Sequence, residues 1–308
     1  MLFLAALIAG LACAGIGGEL FVRAVVGLAA ALRVAPAVIA TTVAAFATSS
    51  PELSVAVSSS LAGEPEIALG DALGSNVVNI ALILALALTF GSLHCNRDTI
   101  ARDFPVALLI PIFTAVFCFD GQISRLDGIL LLLMFIAWLT SILIHTGKRR
   151  ATIAPGSMKT RRSALALALL TGLGLLVSAG ILIVYGAKGI AELVGIHEFV
   201  IGATVVALGT STPELATTLI ARFRGHDDVG LGTILGSNIF NGLLIISVAA
   251  IIRPIPVELG RVATALIFGV VTVLLVYPSS RGFLDRKRGF LLLALYVAYA
   301  VTIWQRGA

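Results

Sequence analysis

Residues 48–52 read Thr-Ser-Ser-Pro-Glu, and residues 210–214 read Thr-Ser-Thr-Pro-Glu, 162 positions later. The first set interrupts an apolar run long enough to cross a bilayer, with no charged residue from Val38 to Ala47 or from Leu53 to Leu61. A carboxylate at that depth is costly and marks a functional site by default, usually facing other helices or a water-filled cavity. Proline lacks an N–H and clashes with the carbonyl four residues earlier, so each of these helices is expected to break at Pro51 or Pro213. The duplication is wider than the two pentapeptides. Val38–Ile80 aligns on Val200–Gly242 at the constant offset of 162 without a gap and with 18 identities in 43 positions. The chain is therefore expected to be two related halves, each carrying one copy of the same costly feature.

The surrounding sequence says what medium these halves occupy. With 59% hydrophobic residues, 12% charged and a mean hydropathy of +1.08, the chain is far from a soluble domain, which is about a quarter charged. The apolar material falls into pieces of about one spanning helix each, so the expected fold is an all-α integral membrane protein. Ten spans are expected, at about 2–31, 37–61, 69–90, 104–119, 127–146, 163–193, 199–221, 229–251, 262–278 and 289–305. No Lys or Arg precedes Arg23, so a signal peptide's charged leader is missing and Leu2 onward reads as a retained first span. The longest polar interruption, Gly147 to Arg162, holds six basic residues and splits the chain into five-helix repeats at 1–146 and 163–308, with 147–162 as linker. Placing the N-terminus outside puts fifteen Lys and Arg in inner loops against five on the outer side. By the positive-inside rule both termini then face out and the linker is cytoplasmic. Five spans per half is an odd number, so the two copies must lie in opposite orientations. Inverted repeats with helices broken near the midplane are a recurring design of secondary transporters.

The positions that match between the halves are mostly polar. Thr48/Thr210, Ser49/Ser211, Pro51/Pro213 and Glu52/Glu214 form one block; Gly70/Gly232, Gly74/Gly236, Ser75/Ser237, Asn76/Asn238 and Asn79/Asn241 form a second. The broken helices are expected to free carbonyls near Ala45–Thr48 and Ala207–Thr210 as cation ligands, because irregular backbone survives in a membrane where it lines a cavity. Ser75 and Asn79, like Ser237 and Asn241, are four apart and share a helical face. The glycines are expected to let that helix approach its neighbour closely. The donors are carboxylates, amides, hydroxyls and carbonyls, with no thiolate or imidazole, and oxygen-only sites suit hard cations. Two glutamate charges balance one divalent ion, and could equally be balanced by sodium ions or protons, as antiport requires.

The segments Gly209-Thr210-Ser211-x-Pro213-Glu214 and Gly236-Ser237-Asn238-x-x-Asn241, with their first-half counterparts, resemble the α-repeats of the cation/Ca²⁺ exchanger superfamily, and most closely its prokaryotic sodium/calcium exchangers. The resemblance implies ten helices and exchange of Ca²⁺ for Na⁺ at sites lined by spans 2, 3, 7 and 8, with the long spans 1 and 6 sliding across the rest. It implies Glu52 and Glu214 as central ligands and backbone carbonyls from Thr48 and Thr210. It further implies Ser49, Ser211, Ser75 and Ser237 at flanking Na⁺ sites, with Asn79 and Asn241 completing the centre. Some members carry Asp where this chain has Asn241, and in the potassium-dependent branch that Asp is associated with K⁺. Its absence argues against K⁺ dependence. Ala47 stands where Gly is usual. Asp71 is an acid with no counterpart, Thr233 occupying the matching place, and it keeps Ca²⁺/H⁺ exchange, or transport of another divalent ion, as the alternative.

Other classes fit less well. Basic residues confined to short loops give no nucleic-acid face. An intramembrane enzyme would need a second membrane Asp, an HExxH pattern or a Ser/His pair, none of which the sequence offers. A cation channel could use the same ligands, but paired charges in inverted copies favour a carrier. Cys13, Cys95 and Cys118 form no disulfide or zinc pattern. No resident cofactor and no protein partner are expected; the partners are Ca²⁺, Na⁺ or H⁺, and the lipid bilayer of a prokaryotic inner membrane.

Overall fold

A backbone at membrane depth finds no water to satisfy its N–H and C=O groups, so it must close its hydrogen bonds within helices. The computed structural model describes residues 2–149, 162–193, 209, 211–278 and 282–307. In it the first half forms α1 (Leu2–Leu32), α2 (Pro36–Thr48), α3 (Ser50–Ala62), α4 (Pro65–Thr89), α5 (Thr99–Phe117) and α6 (Arg125–Arg149). The second forms α7 (Arg162–Leu193), α8 (Thr212–Phe223), α9 (Asp227–Ile252), α10 (Leu259–Leu275) and α11 (Arg286–Gly307). Every one of the ten expected spans contains a described helix, and α2 and α3 are the two arms of one broken span. The protein is an all-α membrane protein.

Two pairs of two-residue strands establish the relative orientation of the halves. β1 (Leu93–His94) follows α4, β2 (Gln122–Ile123) follows α5, β3 (Ile255–Pro256) follows α9, and β4 (Phe283–Leu284) follows α10. β1 pairs antiparallel with β4, and β2 with β3. In each half the two strands lie at opposite ends of one helix, α5 or α10, hence on opposite faces of the membrane. The connection before α5 thus meets the connection after α10, and the reverse holds on the other face. This crossing is possible only if one half is inverted relative to the other.

Burial separates centre from rim. In α4 and α9, 78% and 83% of the most apolar window is buried, against 28% in α1 and 22% in α7. The rim helices present Leu11, Leu133, Leu143, Leu167 and Ile181 outward, as a lipid-facing surface requires. α1 and α7 pack antiparallel with small residues between them; a Cβ on Gly172 would lie 2.8 Å from the Phe21 backbone nitrogen. Glu19 and Arg23, one turn apart on α1, form an ion pair, and Glu19 also accepts from Arg224 Nε at 2.8 Å, tying α1 to the end of α8.

The close approach expected of the motif glycines is present in α9. A Cβ on Gly236 would lie 2.5 Å from the Thr41 carbonyl oxygen, and on Gly232 2.9 Å from Ala40 Cβ, so α9 is pressed against α2. Among the described residues Gly70 meets nothing within 4 Å and Gly74 only the Tyr299 hydroxyl at 3.8 Å; positions 199–203, the sequence counterparts of α2 residues 37–41, lie outside the described residues.

Candidate functional site

The helices that carry Glu52 and Glu214 begin where proline demands it and with the same geometry. Ser49 has φ −85°, ψ 8° and Ser211 has φ −84°, ψ 9°; each precedes a helix whose first two residues include the proline. Glu52 and Glu214 are each the third residue of that helix, where the positive end of the helix dipole favours an anion. Both are almost completely buried.

At such a start, a serine normally accepts a hydrogen bond from a backbone N–H of the first turn. Neither Ser49 nor Ser211 makes a capping bond; among the described residues neither buried hydroxyl meets a partner in good hydrogen-bond geometry, and Ser49 faces the Glu214 carboxylate. The Ser49-x-x-Glu52 spacing is therefore not being used as a capping box.

The fate of the freed carbonyls differs from expectation in one respect. Pro51 deprives Ala47 of its helical donor, and Ser50 Oγ supplies the replacement, donating to the Ala47 carbonyl at 2.7 Å. Ala45, by contrast, accepts the Ser49 N–H at 2.9 Å and lies 3.3 Å from Thr48 Oγ1. Thr48 Oγ1 is also 3.3 Å from Ser237 Oγ, and Ser237 donates to Glu214 Oε1 at 3.2 Å. Ser237 spends its proton on Glu214, and the single Thr48 proton goes either to the Ala45 carbonyl or to Ser237. This chain joins the two halves. Ala207 and Thr210 lie outside the described residues.

The second motif block meets across the axis. Asn76 Nδ2 donates to the Asn238 carbonyl at 3.2 Å, and Asn238 Nδ2 donates to the Asn76 carbonyl at 3.1 Å. Asn79 Nδ2 donates to Asn238 Oδ1 at 3.0 Å. Asn79 opens a π-helical stretch, Asn79–Leu84, and Asn241 lies in its counterpart, Phe240–Ile245. Such widened turns inside α-helices are frequent at functional sites. Ser75 is buried one turn before Asn79. Asp71 is only half buried, its charge acts on Glu52, and its Oδ2 has no partner.

Asn76 and Asn238 were absent from the set of ligands expected on sequence grounds. The signal was present, since both repeat at the offset of 162, but nothing local distinguishes an amide that ties two helices from one that faces an ion.

Buried polar atoms without partners are rare and costly, more so at membrane depth. Among the described residues most of them lie on the motif residues: Ser49 Oγ, Glu52 Oε2, Asn76 Oδ1, Asn79 Oδ1, Ser211 Oγ, Glu214 Oε2 and both amide atoms of Asn241. Nearly all are oxygens, the ligand type that a hard cation takes in sixes to eights. Among the described residues no three acids, histidines or cysteines converge, so Asp71 does not form a three-acid cluster with the two glutamates.

A family model described as "Sodium/calcium exchanger protein" matches residues 2–144 and again 163–305. The sodium/calcium exchanger MaX1 of Methanosarcina acetivorans is 28% identical over 330 residues, covering 94% of each chain. The inner membrane protein YrbG of Escherichia coli is 34% identical over 263 residues, covering 82% of this chain and 81% of that protein. The solved structure of a sodium/calcium exchanger from Methanococcus jannaschii superposes with a TM-score of 0.83 at 30% identity, covering 97% of this chain and 98% of the other.

Proposed function

The chain belongs to the sodium/calcium exchanger protein family, whose members are membrane cation exchangers, and we propose that it exchanges Ca²⁺ for Na⁺ by alternating access at the Glu52/Glu214 site. The observation that carries this reading is the pair of buried glutamates at matched helix starts, each with a carboxylate oxygen that has no partner among the described residues. An empty site would hold two uncompensated anions, and desolvating an unpaired ion costs on the order of several kcal/mol. A loaded site is balanced by one Ca²⁺, or by Na⁺ ions that occupy it in turn. The carrier therefore crosses readily when loaded and poorly when empty, which is what couples the two fluxes.

Glu52 and Glu214 are the central ligands in this reading, with Asn79 and Asn241 beside them. Ser49, Ser211, Ser75 and Ser237 supply hydroxyls, and Thr48, Thr210, Ala45 and Ala207 supply backbone carbonyls. Na⁺ is favoured as the counter-ion because a proton needs no cage of hydroxyls and carbonyls. The specific observation that favours Ca²⁺/H⁺ exchange instead is Asp71, an acid with an unpartnered oxygen acting on Glu52. The protein carries no resident cofactor and resides in a prokaryotic inner membrane, with both termini outside and residues 147–162 in the cytoplasm.

The test is radiolabelled Ca²⁺ uptake into proteoliposomes, driven either by an outward Na⁺ gradient or by a pH gradient without Na⁺. Uptake on the Na⁺ gradient alone is expected, and its loss in folded Glu52→Gln and Glu214→Gln proteins. Uptake on the proton gradient alone would replace the counter-ion and make Asp71→Asn the next variant. Full transport by either glutamine variant would overturn the site.

A further inference from the structure

The hydrogen bonds at the axis are symmetric in one layer and asymmetric in the next. Asn76 and Asn238 exchange amide-to-carbonyl bonds, each donating to the other's backbone at 3.2 and 3.1 Å. Both side chains are thereby anchored by their nitrogens, leaving each Oδ1 to act as an acceptor. Asn238 Oδ1 uses that capacity, holding Asn79 Nδ2 at 3.0 Å. The symmetry of the two halves calls for Asn241 Nδ2 to donate to Asn76 Oδ1. Among the described residues it does not: both atoms are buried and have no partner.

The difference matters because an amide has two chemically opposite ends, one accepting and one donating. Asn79, held by its nitrogen, turns a buried and unpartnered Oδ1 away from Asn238. Asn241 is held at neither end and can present oxygen or nitrogen, of which only oxygen can bind a cation. A second asymmetry accompanies the first. Glu214 accepts from Ser237, whereas no such bond joins Ser75 to Glu52 among the described residues.

We propose that Asn76 and Asn238 are positioning residues, each aiming the amide of the other half's site asparagine at the transported cation, with the bond made in one half at a time. Inverted repeats reach the oppositely facing state by rearranging one half against the other about a fixed site. The Asn79–Asn238 bond of this state then gives way to the Asn241–Asn76 bond in the other. The axis pair stays closed throughout, and only the acceptor in use changes. This inference rests on the reading of Asn79 and Asn241 as ligands.

The test measures the apparent KM for Ca²⁺ at each membrane face separately, in proteoliposomes of uniform orientation. Asn238→Ala is expected to raise KM about tenfold at one face and Asn76→Ala about tenfold at the opposite face, with the maximal rate less affected. If Asn238→Ala does not fold, Asn238→Ser, which keeps a small polar side chain but lacks the amide oxygen that holds Asn79, carries the same expectation. A merely structural role would change both faces alike, and that outcome, or an unchanged KM in both variants, would overturn the proposal. Asn79→Ala and Asn241→Ala serve as the reference. If neither alters Ca²⁺ transport, the ligand reading itself has failed; if both do and the axis variants show no sidedness, only the positioning role has.

Discussion

Ser49 and Ser211 separate two jobs that a serine can do at a helix start. A capping serine replaced by alanine typically costs about 1 kcal/mol of stability. Neither hydroxyl caps here, and among the described residues neither buried oxygen meets a partner in good hydrogen-bond geometry. Ser49→Ala and Ser211→Ala should therefore leave the thermal unfolding midpoint in detergent almost unchanged while weakening the apparent affinity for the transported cations. A large drop in that midpoint with unchanged transport would mean that the hydroxyls serve the fold instead. Ser50 shows the contrast, since its hydroxyl is committed to the Ala47 carbonyl at 2.7 Å. Pro51 and Glu52 were legible from the sequence because their chemistry is local: one removes a donor and the other carries a charge that hydrocarbon does not tolerate. The use of Ser50 rather than Ser49 to cap the break was not legible, because either hydroxyl is close enough in sequence to serve.

The central helix α9 carries its motif glycines at a tight contact. In α9, a methyl group at Gly236 would meet the Thr41 carbonyl oxygen at 2.5 Å and Ala45 Cβ at 2.6 Å, and the backbone of α2 cannot move aside cheaply. Overpacking of this kind costs about 1–3 kcal/mol, so Gly236→Ala should lower both thermal stability and transport. Thermal unfolding followed by size-exclusion chromatography measures the loss, and an undiminished midpoint would show that α2 gives way. The sequence marks Gly236 as a motif glycine but could not reveal what it packs against, since that lies in the neighbour rather than in the motif. The π-helical stretches at Asn79–Leu84 and Phe240–Ile245 escaped the sequence for the same reason. Neither contains a proline and only the second holds a glycine, Gly242, so no shared local signal marks the widened turn, whereas Asn79 is held by Asn238 of the other half.

The two short ladders tie the halves of the molecule to each other at both membrane faces, β1 with β4 and β2 with β3. Inversion was legible from an odd number of spans per repeat; the pairing was not, because two-residue strands leave no periodic signal. The same ladders make the topology measurable. His94 and Phe283 are exposed partners at one face, and Gln122 and Pro256 are exposed partners at the other. Background labelling should be low. Cys118 is buried, and burial pushes the Cys95 thiol up to about 12, so at neutral pH it holds almost none of the thiolate that maleimides require. Replacing Cys13 by serine should leave a quiet parent. In that parent, His94→Cys and Phe283→Cys should react with an impermeant maleimide from the face that carries residues 147–162, and Gln122→Cys and Pro256→Cys from the opposite face. By the positive-inside rule, the excess of basic residues in the former set of loops predicts that face to be the cytoplasmic one. In intact cells only positions 122 and 256 should then label, with 94 and 283 following after permeabilisation. The reverse pattern would turn the whole protein over in the membrane while preserving the antiparallel halves. Labelling of positions 94 and 122 from one and the same face would overturn the inverted arrangement itself, and with it the two-fold relation between Glu52 and Glu214.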